Sequence, residues 1–146
     1  MYVIDACVHV ADIRPAEPHH ADARAFLQRV RTDDHSVCLP AIVLPEVAAA
    51  VSRGTGRPAL ARRLVALIER TRQFEIVPID QGLGRLAAAL AAYHAIRGCD
   101  AVYVALAQQR GATLVTLDEQ QRERVPESVT AQSPAKALAN LDGSDM

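Results

Sequence analysis

An α/β domain on a mainly parallel sheet of four to five strands is what this sequence predicts. Three observations carry that expectation. Short apolar runs rich in β-branched residues alternate with longer stretches whose apolar residues recur at helical spacing. Proline and glycine fall near the starts and ends of those longer stretches. Half of the 146 residues are apolar, enough for one domain of this length to bury a sizeable core.

The elements follow in order. "YVIDA" (2–6) is short, apolar and β-branched, and predicts a buried strand. "HADARAFLQRVR" puts Ala23, Phe26, Leu27 and Val30 on one helical face. "SVCLPA" (36–41) predicts a second strand. "LPEVAAAVSRG" predicts a helix with Pro45 near its start and Gly54 near its end. "PALARRLVALIERT" carries Leu60, Leu64, Leu67 and Ile68 at helical spacing, and "FEIVPID" (74–80) predicts a third strand. "GLGRLAAALAAYHAIR" places Leu83, Leu86, Leu90 and Tyr93 on a stripe. "GCDAVYVALA" (98–107) opens the next helix, which Gly111 should end. "ATLVTLD" (112–118) predicts a fourth strand, "EQQRERV" a short helix and "SVTAQ" a weak fifth strand. The reading is one domain over residues 1–140, with residues 141–146 as a loose tail.

Composition excludes several classes. A formal net charge of −1 gives no global field to draw in a polyanion, so any nucleic-acid contact must be local. The basic residues are almost all arginine, with Lys136 the only lysine. Arg53, Arg57, Arg62, Arg63, Arg70 and Arg72 concentrate in one region as either a solvated helix face or a phosphate-contacting rim. Cys7, Cys38 and Cys99 lie far apart with no CxxC, which argues against a zinc knuckle or a disulfide scaffold and fits a reducing cytoplasm. Asp5 interrupts the first apolar run and no basic leader precedes it, so neither a signal peptide nor a membrane span is expected. His19 and His20 are expected on the surface, and His9, His35 and His94 have no ligand spacing.

The carboxylates point to chemistry. In parallel α/β sheets, ligands bind beyond the carboxyl ends of the strands. Asp5 ends strand one, Glu46 follows strand two, Asp100 opens the helix before strand four and Asp118 ends strand four. Each has a simpler reading taken alone. Asp118 with Gln121 fits a capping box, Asp100 fits a cap, and Glu46 complements a helix dipole. Asp80 is read as a cap or turn residue and left out of the set. Together the acids would repel one another, and a divalent cation relieves that repulsion. An all-oxygen set suits Mg²⁺ or Mn²⁺ rather than zinc. Such an ion can polarise a phosphate and lower the pKa of a bound water, which is the chemistry of phosphodiester hydrolysis.

"YVIDACV", "LPEVAAAV", "GCDAVYVALA" and "TLVTLD" resemble, in order, the four signature blocks of PIN-domain nucleases, and most nearly the VapC-type toxins of bacterial toxin–antitoxin pairs. The resemblance spans almost the whole chain. It implies a three-layer α/β/α sandwich with strands one and four central, and a Mg²⁺- or Mn²⁺-dependent endoribonuclease. Residue by residue, Asp5, Glu46, Asp100 and Asp118 match the acidic quartet, and Thr116 matches a hydroxyl position beside the last acid. Asp5, Asp100 and Asp118 would be the metal ligands, and Glu46 would orient or deprotonate water or hold a second ion. Cys7 departs from the Ser or Thr usual in the family, and a thiol is a poor ligand for a hard cation. The resemblance also implies an RNA substrate, a cognate antitoxin protein, a homodimer and a cytoplasmic setting. The rival readings are a catalytically silent module that binds RNA or protein and a structure-specific DNA nuclease. Scarce aromatics leave little for base stacking, so contacts would rest on phosphate and RNA shape.

Overall fold

The computed structural model describes residues 1–144. Within them lie five strands and eight helices. The strands are β1 (Tyr2–Ile4), β2 (Val37–Pro40), β3 (Phe74–Val77), β4 (Thr113–Val115) and β5 (Ala131–Gln132). The helices are α1 (Ala6–Ile13), α2 (His20–Thr32), α3 (Val43–Thr55), α4 (Pro58–Arg70), α5 (Gln81–His94), α6 (Gly98–Arg110), α7 (Glu119–Arg124) and α8 (Pro134–Ser144).

All strand pairs are parallel, in the order β3-β2-β1-β4-β5. β1 is therefore central, with Val3 opposite Leu114 and Ile4 opposite Val115 of β4. Helices flank this sheet as a three-layer α/β/α sandwich, the fold the sequence implied. Central parallel strands are covered on both faces, which is why β2 is buried at all four positions. Among the described residues no helix is long and apolar enough to cross a membrane.

Helix α6 explains the long apolar run of the sequence. Ala101 and Tyr103 through Ala107 are all buried, and the helix packs on β1, β2 and β4. Each fully buried aliphatic side chain there contributes roughly 1.5–3 kcal/mol. Gly111 ends α6 in the left-handed region at φ 59°, as expected of a glycine C-cap.

Two helices differ from the expectation. Residues 6–13 form α1, where the sequence reading ends a strand at Ala6 and assigns no element beyond it. The β-branched Val8 and Val10 disfavour a helix locally, but six of its eight residues are buried and packing overrides propensity. Residues 134–144 form α8, which reaches into the stretch expected to be a loose tail. The Ser133 hydroxyl accepts the Lys136 backbone N–H at 3.2 Å, Pro134 fills the first helical position, and the helix packs on α2. Asp142 of α8 pairs with Arg29 of α2. Asp145 and Met146 of the expected tail lie outside the described residues. All five strands are also shorter than predicted, and Asp5, Asp80 and Asp118 stand past the ends of β1, β3 and β4. Asp80 caps α5, accepting the Leu83 N–H at 2.8 Å.

Helix α1 carries a second buried acid. Asp12 is 5% exposed, and its carboxylate lies 3.5 Å from Arg31 Nη2 and 3.7 Å from Arg24 Nη1. Arg24 also donates to the Asp12 carbonyl at 2.9 Å. His9, one turn earlier, is buried with Nε2 unbonded and packs edge-on to Phe74. Burial, then the nearby Arg31 charge, push its pKa down to about 3, so it stays neutral as a core residue.

Candidate active site

Asp5, Glu46, Asp100 and Asp118 come from four separate elements and line one groove of about 870 Å³. The topology gathers them. β1 and β4 are adjacent, so Asp5 after β1 and Asp118 after β4 leave the same edge of the sheet. α3 follows β2 and supplies Glu46 from its first turn. α6 crosses β1 and β4 and supplies Asp100 from its first turn.

Asp5 occupies the N-cap position of α1, yet its side chain makes no cap bond. It is 6% exposed and turns inward, where Oδ2 accepts from the Thr116 hydroxyl at 2.8 Å and the Cys7 thiol at 3.4 Å. Burial pushes its pKa up to about 6. The Thr116 bond opposes that rise, and the charges of Asp100 and Glu46 add to it. The anionic form of Asp5 is thus under-compensated.

Thr116, fully buried, is the hub beneath the acids. Its single hydroxyl proton has two acceptors in reach, Asp5 Oδ2 and Gln121 Oε1, the latter at 3.0 Å. Its oxygen also accepts the Asp118 N–H at 3.1 Å. Gln121 Nε2 in turn donates to the Asp100 carbonyl at 3.3 Å. One buried cluster therefore ties together the backbones or side chains of three of the four acids.

Asp118 caps a helix with one oxygen and pairs with a cation through the other. Oδ1 accepts the Gln121 N–H at 3.1 Å and caps α7, while Oδ2 faces the groove and takes Arg97 Nη2 at 2.8 Å. Asp100 is not the cap of α6. Arg97 stands at the N-cap, and its Nε donates to Asp100 Oδ2 at 2.9 Å. The Arg97 guanidinium thus bridges Asp100 and Asp118. As they stand, no three of the described His, Cys, Asp and Glu side chains form a group that could hold a metal ion. The acids share a groove without closing into a ready cage, and a guanidinium joins two of them.

Glu46 is fixed from below. The Tyr103 hydroxyl, on a ring buried in α6, donates to its Oε1 at 2.6 Å. Burial raises the Glu46 pKa and Asp100 adds to that, while Tyr103 and Arg97 pull it down. Burial and the charges of Asp5 and Glu46 push the Tyr103 phenol well above its usual range, so it remains a donor. The Cys7 thiol is likewise raised by burial and by Asp5, and lies 3.7 Å from the Thr116 hydroxyl. It stays protonated at neutral pH, donating to Asp5.

The groove is also lined by the apolar Val10, Ile42, Pro45 and Ala49, and by Arg14, Arg53 and the exposed His19. Arg14 pairs with Glu17 at 2.9 Å and donates to the Gly54 carbonyl at 3.3 Å. A Cβ at position 54 would collide with that guanidinium, so the glycine leaves the last turn of α3 open to it. Of the arginine-rich segment, Arg53 alone lines this groove, and Arg72 pairs with Asp34 at 2.8 Å.

Sequence reasoning missed Arg97 and Tyr103 as members of the site and treated Gln121 as a cap partner alone. A signal existed for the first two. Each is three residues from Asp100, on either side, and residues at that spacing share a helix face.

Three solved structures illustrate the likeness in fold. The VapC20 toxin of Mycobacterium tuberculosis, described as cleaving the sarcin–ricin loop, aligns with a TM-score of 0.72 at 17% identity, over 89% of this chain and 99% of that one. FitAcB of Neisseria gonorrhoeae aligns with a TM-score of 0.70 at 22% identity, over 92% and 98%. VapBC2 of Rickettsia felis, bound to a promoter DNA fragment, aligns with a TM-score of 0.69 at 18% identity, over 90% and 97%. Among curated protein sequences, none is significantly similar. The sequence profile of the PIN domain matches residues 2–125, from the first residue of β1 to the residue that follows α7, and the chain belongs to the PIN domain family.

Proposed function

We propose that this chain is a divalent-metal-dependent endoribonuclease and the toxin of a toxin–antitoxin pair. The observation that carries the reading is the convergence of four carboxylates on one groove, where burial and like charge drive the Asp5 pKa up to about 6. That surplus of negative charge is what a hard cation neutralises, and an all-carboxylate donor set suits Mg²⁺ or Mn²⁺. Asp5, Asp100 and Asp118 are the residues that would hold it. When bound, the ion supplies phosphate polarisation and a more acidic water.

The chain's own residues do the rest. Thr116 fixes Asp5 and the Asp118 backbone. Tyr103 occupies Oε1 of Glu46 and sets the plane of that carboxylate, leaving the other oxygen to take a proton from the attacking water. No covalent intermediate on the protein is required. Arg14 and Arg53, which line the groove, would meet backbone phosphates.

An RNA target is favoured by the likeness to a toxin described as cleaving the sarcin–ricin loop. An antitoxin partner is favoured by the likeness to a toxin–antitoxin complex from Klebsiella pneumoniae, with a TM-score of 0.65 at 17% identity, over 92% of this chain and 98% of that one. A homodimer and a cytoplasmic setting complete the proposal.

The test incubates purified protein with structured RNA, single-stranded RNA and DNA in Mn²⁺, Mg²⁺ or EDTA, beside Asp100→Asn. The expected result is metal-dependent RNA cleavage that falls at least about a hundredfold in the variant. RNA left intact under every metal makes the chain a binding module, and cleavage of DNA alone makes it a DNA nuclease. Undiminished cleavage by Asp100→Asn places the chemistry elsewhere.

A further inference from the structure

Arg97 is in an unusual place for a cation. It holds the N-cap of α6 and reaches the N-cap residue of α7, so it stands against the positive ends of two helix dipoles. It offers no side-chain acceptor to the free N–H groups of α6, which is what an N-cap normally provides. Local helix energetics therefore disfavour it. Two carboxylates hold it there instead, Asp100 at 2.9 Å and Asp118 at 2.8 Å. The Arg97 side chain is 78% exposed, so little packing resists its departure. A pair of contacts to an exposed guanidinium is weak, because water competes for both partners.

Both acids that Arg97 bridges belong to the set that would hold the divalent ion, and a divalent charge on those carboxylates repels the guanidinium that sits against them. We propose that Arg97 is an exchangeable counter-ion. It neutralises Asp100 and Asp118 while no divalent cation is bound and swings to solvent when one is. Metal occupancy is then set by competition with a cation tethered to the site's own helix. This rests on the reading of the groove as a metal-dependent site.

The consequence is opposite to that of an ordinary supporting residue: removing Arg97 tightens metal binding. Calorimetric titration of Mn²⁺ into metal-free wild type, Arg97→Ala and Arg97→Gln measures it without reference to activity. Both variants are expected to bind Mn²⁺ about five- to twentyfold more tightly than wild type, with Arg97→Lys between them because an ammonium is a point charge and not a fork. In EDTA the Arg97→Ala protein is expected to melt below wild type, and saturating Mn²⁺ to raise its melting temperature by more. Equal or weaker Mn²⁺ binding in Arg97→Ala and Arg97→Gln overturns the proposal and leaves the nuclease reading standing. No Mn²⁺ binding by wild type or either variant overturns both.

Discussion

Helix α1 begins beside one buried aspartate and contains another, and the two are treated in opposite ways. Asp12, two turns along, faces two arginines. Asp5, at the helix start, faces Asp100 and Glu46, and its own hydrogen bonds come from a neutral hydroxyl and a thiol. The two are buried to nearly the same degree. Burying a carboxylate is costly unless a partner compensates it, so the fold satisfies the acid that only has to be stable. It leaves the other in deficit at the edge where ligands bind. Electrostatic frustration confined to one end of a helix is a positive sign of function, whereas a buried ion pair is not.

The contrast can be broken by changing either acid. Asp5→Asn has the largest expected effect on stability. Its folded-state pKa is raised to about 6 from an ordinary value near 4, so between those values the native state holds a proton that the unfolded chain has released. Stability from this residue is therefore full below pH ~4, declines as pH rises through ~6, and stays reduced above it. Asparagine keeps the shape without the charge. Metal-free Asp5→Asn should be more stable than wild type by about 2–3 kcal/mol at pH 8, and the gain should vanish near pH 4. Urea unfolding at the two pH values in EDTA measures this.

Asp12→Ala should move stability the other way, by about 1–2 kcal/mol, because Arg24 and Arg31 lose their carboxylate while remaining partly in water. Equal signs for the two substitutions would dissolve the contrast. Tyr103→Phe sharpens it with the smallest change. Loss of the hydroxyl removes the one neutral donor that lowers the Glu46 pKa. On the nuclease reading, the acid limb of the cleavage profile should shift to higher pH, with the fold retained. An unmoved limb would mean that Glu46 is not the group being titrated.

Legibility in the sequence followed the range of the forces involved. Strands and amphipathic helices declared themselves through periodicity, and Gly111 through its backbone freedom. α1 did not, because a helix buried on nearly every side has no polar stripe to set it off from the strand before it. α8 left a local signature, Ser133 followed by Pro134, which the apolar pattern overshadowed. The four acids were legible by position, since residues past strand ends and in the first turns of the flanking helices meet at one edge of a parallel sheet. The partners that set their charge were legible only in part. The three-residue spacing puts Arg97 and Tyr103 beside Asp100, but Arg97 reaches Asp118 across 21 residues and Tyr103 reaches Glu46 across 57, and no local pattern reports those longer links. Asp118 shows that a cap does not use up a carboxylate: Oδ1 takes the Gln121 N–H and Oδ2 is left to meet Arg97.

The sheet order has a consequence for how the molecule comes into being. β1 precedes the other four described strands in the chain, yet its three-residue pairing is with β4, and Asp5 meets Thr116 across 111 residues of chain. Contacts of such separation form late and only when both partners are available. A nascent chain that has emerged as far as α5 carries Asp5 and Glu46 but neither Asp100 nor Asp118, so it has no complete acidic edge. The groove is assembled by nearly the last sheet-forming segment to appear. A chain that stops before α6 lacks Asp100 and Asp118, and on the nuclease reading proposed above it would hold only half of the acidic set.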